Sequence, residues 1–376
     1  LDGPEQVQRF LHSSEAGQRF EQEAKVLRQL LQSDAGLYVI DAREPVLAKY
    51  RDELAILAMC GKPLLPVLNF VNSPEQREAQ WREVLARLGL HAVVRFDTIT
   101  PPVDGEQRLY ENLSLVLDSQ RPRLQRLIDY NQAQVQVRRS AAYRLIAELL
   151  LDVSACRRSV HPDHLDAAIQ ELHDDVRQRE QRCVEALLKL YAFRKDDALA
   201  AALPLEEGRW GDDLFNPATM KQMGVKLGGG MAAGAVTGAG IDLITGGLSL
   251  GMGTVVGAAV GGLTQTFRNY GDRLKGKWRG ERELTVNDST LRLLAIRQQR
   301  LLHALELRGH AAQEQIQLQS PQEHAWRSGD LAQPLITARA YPAWSSLNGS
   351  KPRQDSERSE AIASLAASLA QQTTDI

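Results

Sequence analysis

The chain has 376 residues, of which 43% are hydrophobic and 24% charged, and its formal net charge is −2. These are ordinary values for a globular protein with room for two domains and a helical extension, and they argue against general nucleic-acid binding, which needs a net basic footprint. Cys60, Cys156 and Cys183 are odd in number and far apart, a pattern that supports neither a disulfide framework nor a structural zinc site and fits a reducing cytoplasm.

Leu1-Asp2-Gly3-Pro4 reads as a connection between elements, followed by a helix over 14–33 with Phe20, Ala24, Leu27, Leu30 and Leu31 on one face. The run Leu37-Tyr38-Val39-Ile40 is short, apolar and rich in β-branched and aromatic residues. It reads as a strand ending at Asp41, where a carboxylate can face the crevice outside the strand's carboxyl end. Val46 to Ala58 carries Leu47, Tyr50, Leu54 and Leu57 at helical spacing, and after Gly61-Lys62-Pro63 a second apolar run, Leu64 to Phe70, passes through Asn69. A buried strand, a crossover helix and another buried strand predict a parallel sheet with a right-handed connection. A helix over 76–90 with Trp81, Val84, Leu85 and Leu88, a short strand from His91 to Phe96, and a helix over 105–121 interrupted by Pro122 complete this part.

Residues 39–45, VIDAREP, followed by a helix and then by PLLPVLNFVN at 63–72, resemble the latter half of an Era-like small GTPase domain. In that family the second strand ends in Asn-Lys-x-Asp, the guanine-reading motif. Here Asn69 holds the Asn position, Phe70 replaces the Lys, and Asn72 stands where the Asp is expected. The resemblance implies an α/β, partial P-loop GTPase-like parallel sheet over 1–128, with Asn69, Phe70 and Asn72 as the cofactor-binding residues. It also implies GTP hydrolysis with GTP and Mg²⁺ in an intact protein, and a guanine nucleotide as partner. An Asn at position 72 offers the base one acceptor and an opposing NH₂, so guanine selectivity is expected to fall. A phosphate-binding loop requires Gly-x4-Gly-Lys-[Ser/Thr], and no such string occurs in the sequence. Gly61-Lys62 is followed by Pro63, and Gly276-Lys277 by Trp278. No Asp-x-x-Gly switch motif precedes Leu37. The expectation is a fragment without its phosphate-binding and switch segments, inactive alone, with no catalytic residue and no metal ligand of its own.

From about residue 130 the chain resembles the uncharacterised helical domain that follows such GTPase domains in some bacterial proteins. A mainly α-helical domain is expected over 129–320. Residues 141–151 read as an amphipathic helix, and 162–193, with Leu165, Ile169, Leu172, Val176, Cys183, Leu187 and Leu190, as bundle helices or a short coiled coil. Within 224–271, Gly230, Gly234 and Gly238 recur every four residues, as do Gly253, Gly257 and Gly261. With a turn near Gly246-Gly247 this segment reads as two helical arms, each long enough to span about 30 Å of hydrocarbon. Lys221 and Lys226 on one side and Arg268, Arg273 and Lys275 on the other keep both ends on the cytoplasmic side. The alternative is a soluble hairpin buried in protein.

A helix is expected from Glu281 to about Leu318. Residues 321–376 read as loop and mobile tail, with a weak helix near 361–370. His161 and His164 read as a polar helix start rather than a metal site, and the Arg-rich stretches, Arg157-Arg158 among them, as solvated faces or anionic-lipid contacts. The functional expectation is a fragment of a GTP-binding protein whose helical part is a membrane-associated or partner-binding effector. It would be cytoplasmic, at the inner face of the cytoplasmic membrane, with a homo-oligomer left open. The alternative is a non-enzymatic membrane-binding or assembly protein with a degenerate nucleotide site.

Overall fold

A computed structural model describes residues 2–98, 105–193, 203–225, 240–244, 281–306, 326–327 and 330–371. They fall into two compact units, one drawn from 1–135 and the other from 136–305 and 316–376.

The first unit opens with α1 (Gly3–Leu11), not with a connection. Asp2 caps it by accepting the Glu5 N–H at 3.0 Å, with a proline in the first turn. Gly-Pro after an acidic residue reads equally well as a turn; the burial of Val7 against Leu27 and Leu64 is what makes it a helix. The helix expected over 14–33 is split into a 3₁₀ turn at Glu15–Gly17 and α2 (Glu21–Gln32). Then follow β1 (Gly36–Asp41), α3 (Ala48–Ala58), β2 (Leu64–Asn69), α4 (Glu78–Arg87), β3 (Val94–Arg95) and α5 (Gly105–Val116). The strands form a parallel sheet in the order β1-β2-β3, with Gly36 opposite Leu64 and Asp41 opposite Asn69.

Central β2 is buried along its whole length. On one face α3 and α4 set Leu54, Trp81 and Leu85 against Ile40 and Leu68. On the other, Leu109 and Leu113 of α5 cover Leu65, Val67 and Val94. That cover stops short of β1, where Leu37 and Val39 remain 50% and 64% exposed. Parallel sheets normally bury both faces, so this corner is under-covered among the described residues.

Pro122 does not end a helix. It lies in the first turn of α6 (Arg121–Ser154), where its missing N–H costs nothing because first-turn donors have no intrahelical acceptor. Residues 141–151 are amphipathic with a wide buried face: Arg144 is exposed, and Ala141, Leu145 and Glu148 on the same side of the helix are only partly buried. Ala142, Tyr143, Ile146, Ala147, Leu149, Leu150 and Leu151 are all buried, so this end of α6 runs through the core of the second unit. After it come β4 (Arg157–Val160), α7 (Leu165–Leu190), α8 (Pro217–Gln222), β5 (Ile241–Ile244), β6 (Arg282–Val286), α9 (Asp288–Glu306), α10 (Gln333–Ala338) and α11 (Ser356–Gln371). β4, β6 and β5 form an antiparallel sheet in that order.

This small sheet corrects several expectations. Leu284 and Val286 alternate with less buried neighbours at the strand period of two, so the helix expected from Glu281 begins only at Asp288. Residues 241–244 pair with 283–286, and a helical arm cannot run through Asp242. The rest of the expected glycine-rich arms lies outside the described residues. No described helix is long and apolar enough to cross a membrane.

Asp152, near the end of α6, ties three segments together. Its carboxylate accepts Arg179 Nε from α7 at 2.6 Å, and the N–H and hydroxyl of Ser346 at 2.6 and 2.8 Å. The chain beyond 330 is likewise part of the core. Ile362, Leu365 and Leu369 of α11 are buried in the same cluster as Trp344 and Leu347, and Arg358 Nε donates to the Trp344 carbonyl. The expected mobile tail reflected a Ser- and Ala-rich composition; the apolar stripe within it has a floor to pack on. Leu365→Ala should therefore destabilise the second unit by about 2–5 kcal/mol, seen as a lower urea midpoint, while Ser364→Ala on the exposed side of α11 leaves the midpoint unchanged.

Candidate functional site

In open α/β sheets ligands bind outside the carboxyl ends of the strands. At that edge of the first unit, Asp41 grips Arg43 through two parallel bonds, Nε to Oδ1 at 2.9 Å and Nη2 to Oδ2 at 2.7 Å, and also accepts the Arg43 N–H at 3.0 Å. The bonds from the Arg43 side chain hold the Asp41 carboxyl below its ordinary range. The held guanidinium lies over the Phe70 ring, 3.9 Å from its centroid.

Phe70 itself has a φ of 55°. For a bulky side chain this left-handed conformation costs about 1–3 kcal/mol and persists only where the surroundings impose it. Asn69 supplies part of that constraint. Its Oδ1 accepts the Phe70 N–H at 2.8 Å, the Thr98 N–H at 2.8 Å and the Thr98 hydroxyl at 3.0 Å. Asn69 is only 8% exposed. Asp97, 2% exposed, makes a second tie by accepting the Asn72 N–H at 3.1 Å. The loops after β2 and β3 are thus fastened to each other, and the Ala42 N–H to Asn69 carbonyl bond at 2.9 Å fastens the turn after β1 to them.

Asn69, Phe70 and Asn72 come together in this structure with Asp97 and Thr98, which begin the loop that contacts the base in the Era-like family, and with Arg43, whose role the sequence did not disclose. The resemblance placed Asp97 and Thr98 in a base-side loop that lacks the family's usual Ser-Ala signature; it did not give their ties to Asn72 and Asn69. The arrangement offers a planar ring, a guanidinium and a fixed amide. The oxygen of Asn69 already serves three donors, so this side chain acts first as a tie between loops.

In the second unit Arg157 and Arg158 are not solvated faces. Arg157 Nη2 donates to the Arg339 carbonyl at 2.7 Å, and Arg158 donates through Nε to the Leu347 carbonyl at 2.9 Å and through Nη2 to Asp175 at 2.5 Å. They line an open cleft of about 640 Å³ between β4, α7 and the turn at 346–349. Deeper in the unit, Glu180 meets Arg297 and Gln298, each at 3.3 Å; burial raises the Glu180 carboxyl pKa despite the opposing guanidinium.

His161 Nδ1 lies 3.1 Å from Asp163 at an exposed helix start, and no group of three or more metal-ligating side chains exists among the described residues. Burial pushes the Cys156 and Cys183 thiols up to about 12, so neither presents a thiolate at neutral pH.

A family described as "Domain of unknown function (DUF3482)" has a model that matches residues 82–367. No curated protein and no solved structure matches the chain.

Two outcomes follow from the geometry. Asn69→Ala strands the Phe70 and Thr98 donors, so both amides should exchange with solvent much faster and the unit should lose about 1–3 kcal/mol, measured by hydrogen exchange. For Cys156 and Cys183 the folded pKa lies above the unfolded value of about 8.5. Their contribution to stability is full below that value and is lost as pH rises toward 12. Iodoacetamide at pH 8.5 should accordingly label both only after unfolding.

Proposed function

The chain belongs to the DUF3482 family, and from the first unit's geometry and the resemblance of its sequence to the Era-like family we propose that it is the base-side part of a cytoplasmic Era-like GTP-binding protein, with the helical second unit as a partner-binding effector. The observation that carries this reading is the set of bonds from Asn69 to Phe70 and Thr98. Asn69 stands at the position of the guanine-reading Asn of the Era-like family, and the loops it fastens border the carboxyl end of a parallel sheet, where a base would lie. Support also comes from β1, whose second edge is unpaired among the described residues and whose Leu37 and Val39 lack cover. A further strand with its helix would supply that cover, and the same addition would bring a phosphate-binding loop.

The residues present fit the base side of a nucleotide only. GTP phosphates and Mg²⁺ find no Gly-x4-Gly-Lys-[Ser/Thr] loop in the sequence, so no hydrolytic step is assigned to this chain. Asn69 holds the loops, Phe70 presents a planar surface, and Asn72, in place of a carboxylate, weakens discrimination for guanine.

A second reading, a non-enzymatic assembly or membrane-binding protein, is favoured by one feature: Arg43 already covers a face of Phe70.

The deciding experiment is mant-GTP binding with Mg²⁺ by the protein extended upstream through its coding sequence, against residues 1–376 alone. The nucleotide reading expects binding by the extended protein at least 100-fold tighter, and a greater preference for GTP over ATP in Asn72→Asp. An upstream sequence without a phosphate-binding loop, or an extended protein that binds no GTP, overturns it. Liposome flotation that is lost on deleting 245–271, a deletion that spares β5, would instead favour the membrane form of the second reading.

A further inference from the structure

The cleft beside β4 has a strand edge with no pairing partner among the described residues. In the order β4-β6-β5, β4 is paired on one side only among the described residues. The bond from the Asn287 N–H to the Gly240 carbonyl at 3.1 Å fixes the phase of the ladder. Thr285 and Glu283 turn toward β5, so Leu284 and Arg282 turn toward β4 and exchange bonds with Arg158 and Val160. Arg157 and Ser159 consequently face outward. The Arg157 N–H bears this out by meeting Asn348 Oδ1 at 3.0 Å. Ser159 is exposed, lines the cleft, and its N–H and carbonyl make no hydrogen bond outside the ladder among the described residues.

The opposite wall is a single stripe of α7: Ala168, Glu171, Asp175, Gln178 and Arg182, spaced three and four apart so that they share one face. Asp175 is engaged by Arg158. Glu171 has no ion pair or hydrogen bond among the described residues, and Arg182 gives one N–H to Gln178 at 2.8 Å. An unmatched anion and an under-used cation therefore stand at opposite ends of the cleft. They are eleven positions apart on one helix, about 16 Å, which the two end residues of about six residues of extended chain, five steps of roughly 3.3 Å apart, would span. A small anion would suit Arg182 and be repelled at the Glu171 end. An extended segment with opposite charges at its two ends suits both.

We propose that this cleft binds an extended peptide segment of a partner protein, bonded through its main chain to the free edge at Ser159 and oriented by a basic residue at Glu171 and an acidic residue at Arg182. This is strand addition to a sheet edge with a helix as the second wall, in which main-chain bonds give affinity and the side chains give specificity and direction. The cleft's volume of about 640 Å³ is within the ordinary range of ligand sites. The inference rests on the second unit alone and stands or falls independently of the nucleotide reading.

The test uses the full chain and four pools of capped, fluorescent hexapeptides, Lys-x-x-x-x-Asp, Asp-x-x-x-x-Lys, Lys-x-x-x-x-Lys and Asp-x-x-x-x-Asp, with Val, Thr and Tyr varied at the inner positions. Fluorescence anisotropy should show one of the two mixed-charge pools binding at least tenfold tighter than the other three. The double variant Glu171→Lys with Arg182→Glu, both at exposed positions, should prefer the opposite mixed pool, and Ser159→Pro should weaken binding at least tenfold while the urea midpoint stays in place. Equal binding of all pools, no binding by any of them, or a preference that survives the charge exchange would overturn the proposal. Complete displacement by inorganic phosphate would make the cleft an anion site and overturn it too.

Discussion

The second unit is organised around the carboxylate of Asp152. It is buried, and a buried charge persists only where it is paired and hydrogen-bonded. Arg179 supplies the pairing, and Ser346 supplies two further donors. Removing one partner of such a set leaves a charge without compensation, at a cost of about 3–5 kcal/mol. The geometric consequence is larger than the energetic one. The end of α6, the middle of α7 and a turn nearly two hundred residues later are bound to the same two oxygens. Ser154 adds a bond to the Leu335 carbonyl at 2.8 Å, and Asn348 receives the Arg157 N–H. The floor and both walls of the β4 cleft therefore have their positions set within a few residues of α6.

A similar logic, without a charge, governs the edge of the parallel sheet. Asn69 is one amide among three loops, and its oxygen collects the donors that would otherwise be stranded where strands end. Such a tie is cheap in sequence, since a single Asn suffices, and demanding in space. It holds Phe70 in a conformation that an aromatic residue seldom adopts. Strain retained beside a ligand-type crevice is a reason to look for function there. The Arg43 guanidinium over the ring shows that the ring's surface already attracts a planar cation.

Legibility differed sharply between the units. In the first, β1, α3, β2 and α4 were readable because their apolar runs are bounded by Gly, Pro and Asp and keep one period each. Asn69, Phe70 and Asn72 were singled out through their order along the chain. Arg43 was not, and the bonds that Asp97 and Thr98 make to Asn72 and Asn69 were not, because what matters in them is proximity across loops 25 or more residues apart. In the second unit the helices were legible and the sheet was not. β4, β5 and β6 have four, four and five residues, too few for a period-two pattern to stand out beside long helices. Two of them lie where flanking composition suggested helix.

The sequence by itself determined the strand–helix–strand order of the first unit, the placing of a mainly helical unit after it, and the absence of a phosphate-binding loop from these residues. These follow from local periodicity, turn chemistry and a motif that is either spelled out or missing. Only the tertiary structure decided that Asp242 sits in a strand, that α11 belongs to a core, that Asn69 is a tie between loops, and that Ser159 has a free edge among the described residues. Each of these depends on which distant backbone group or apolar surface meets the residue, and a hydrogen bond or a buried contact is a property of two places in the chain at once.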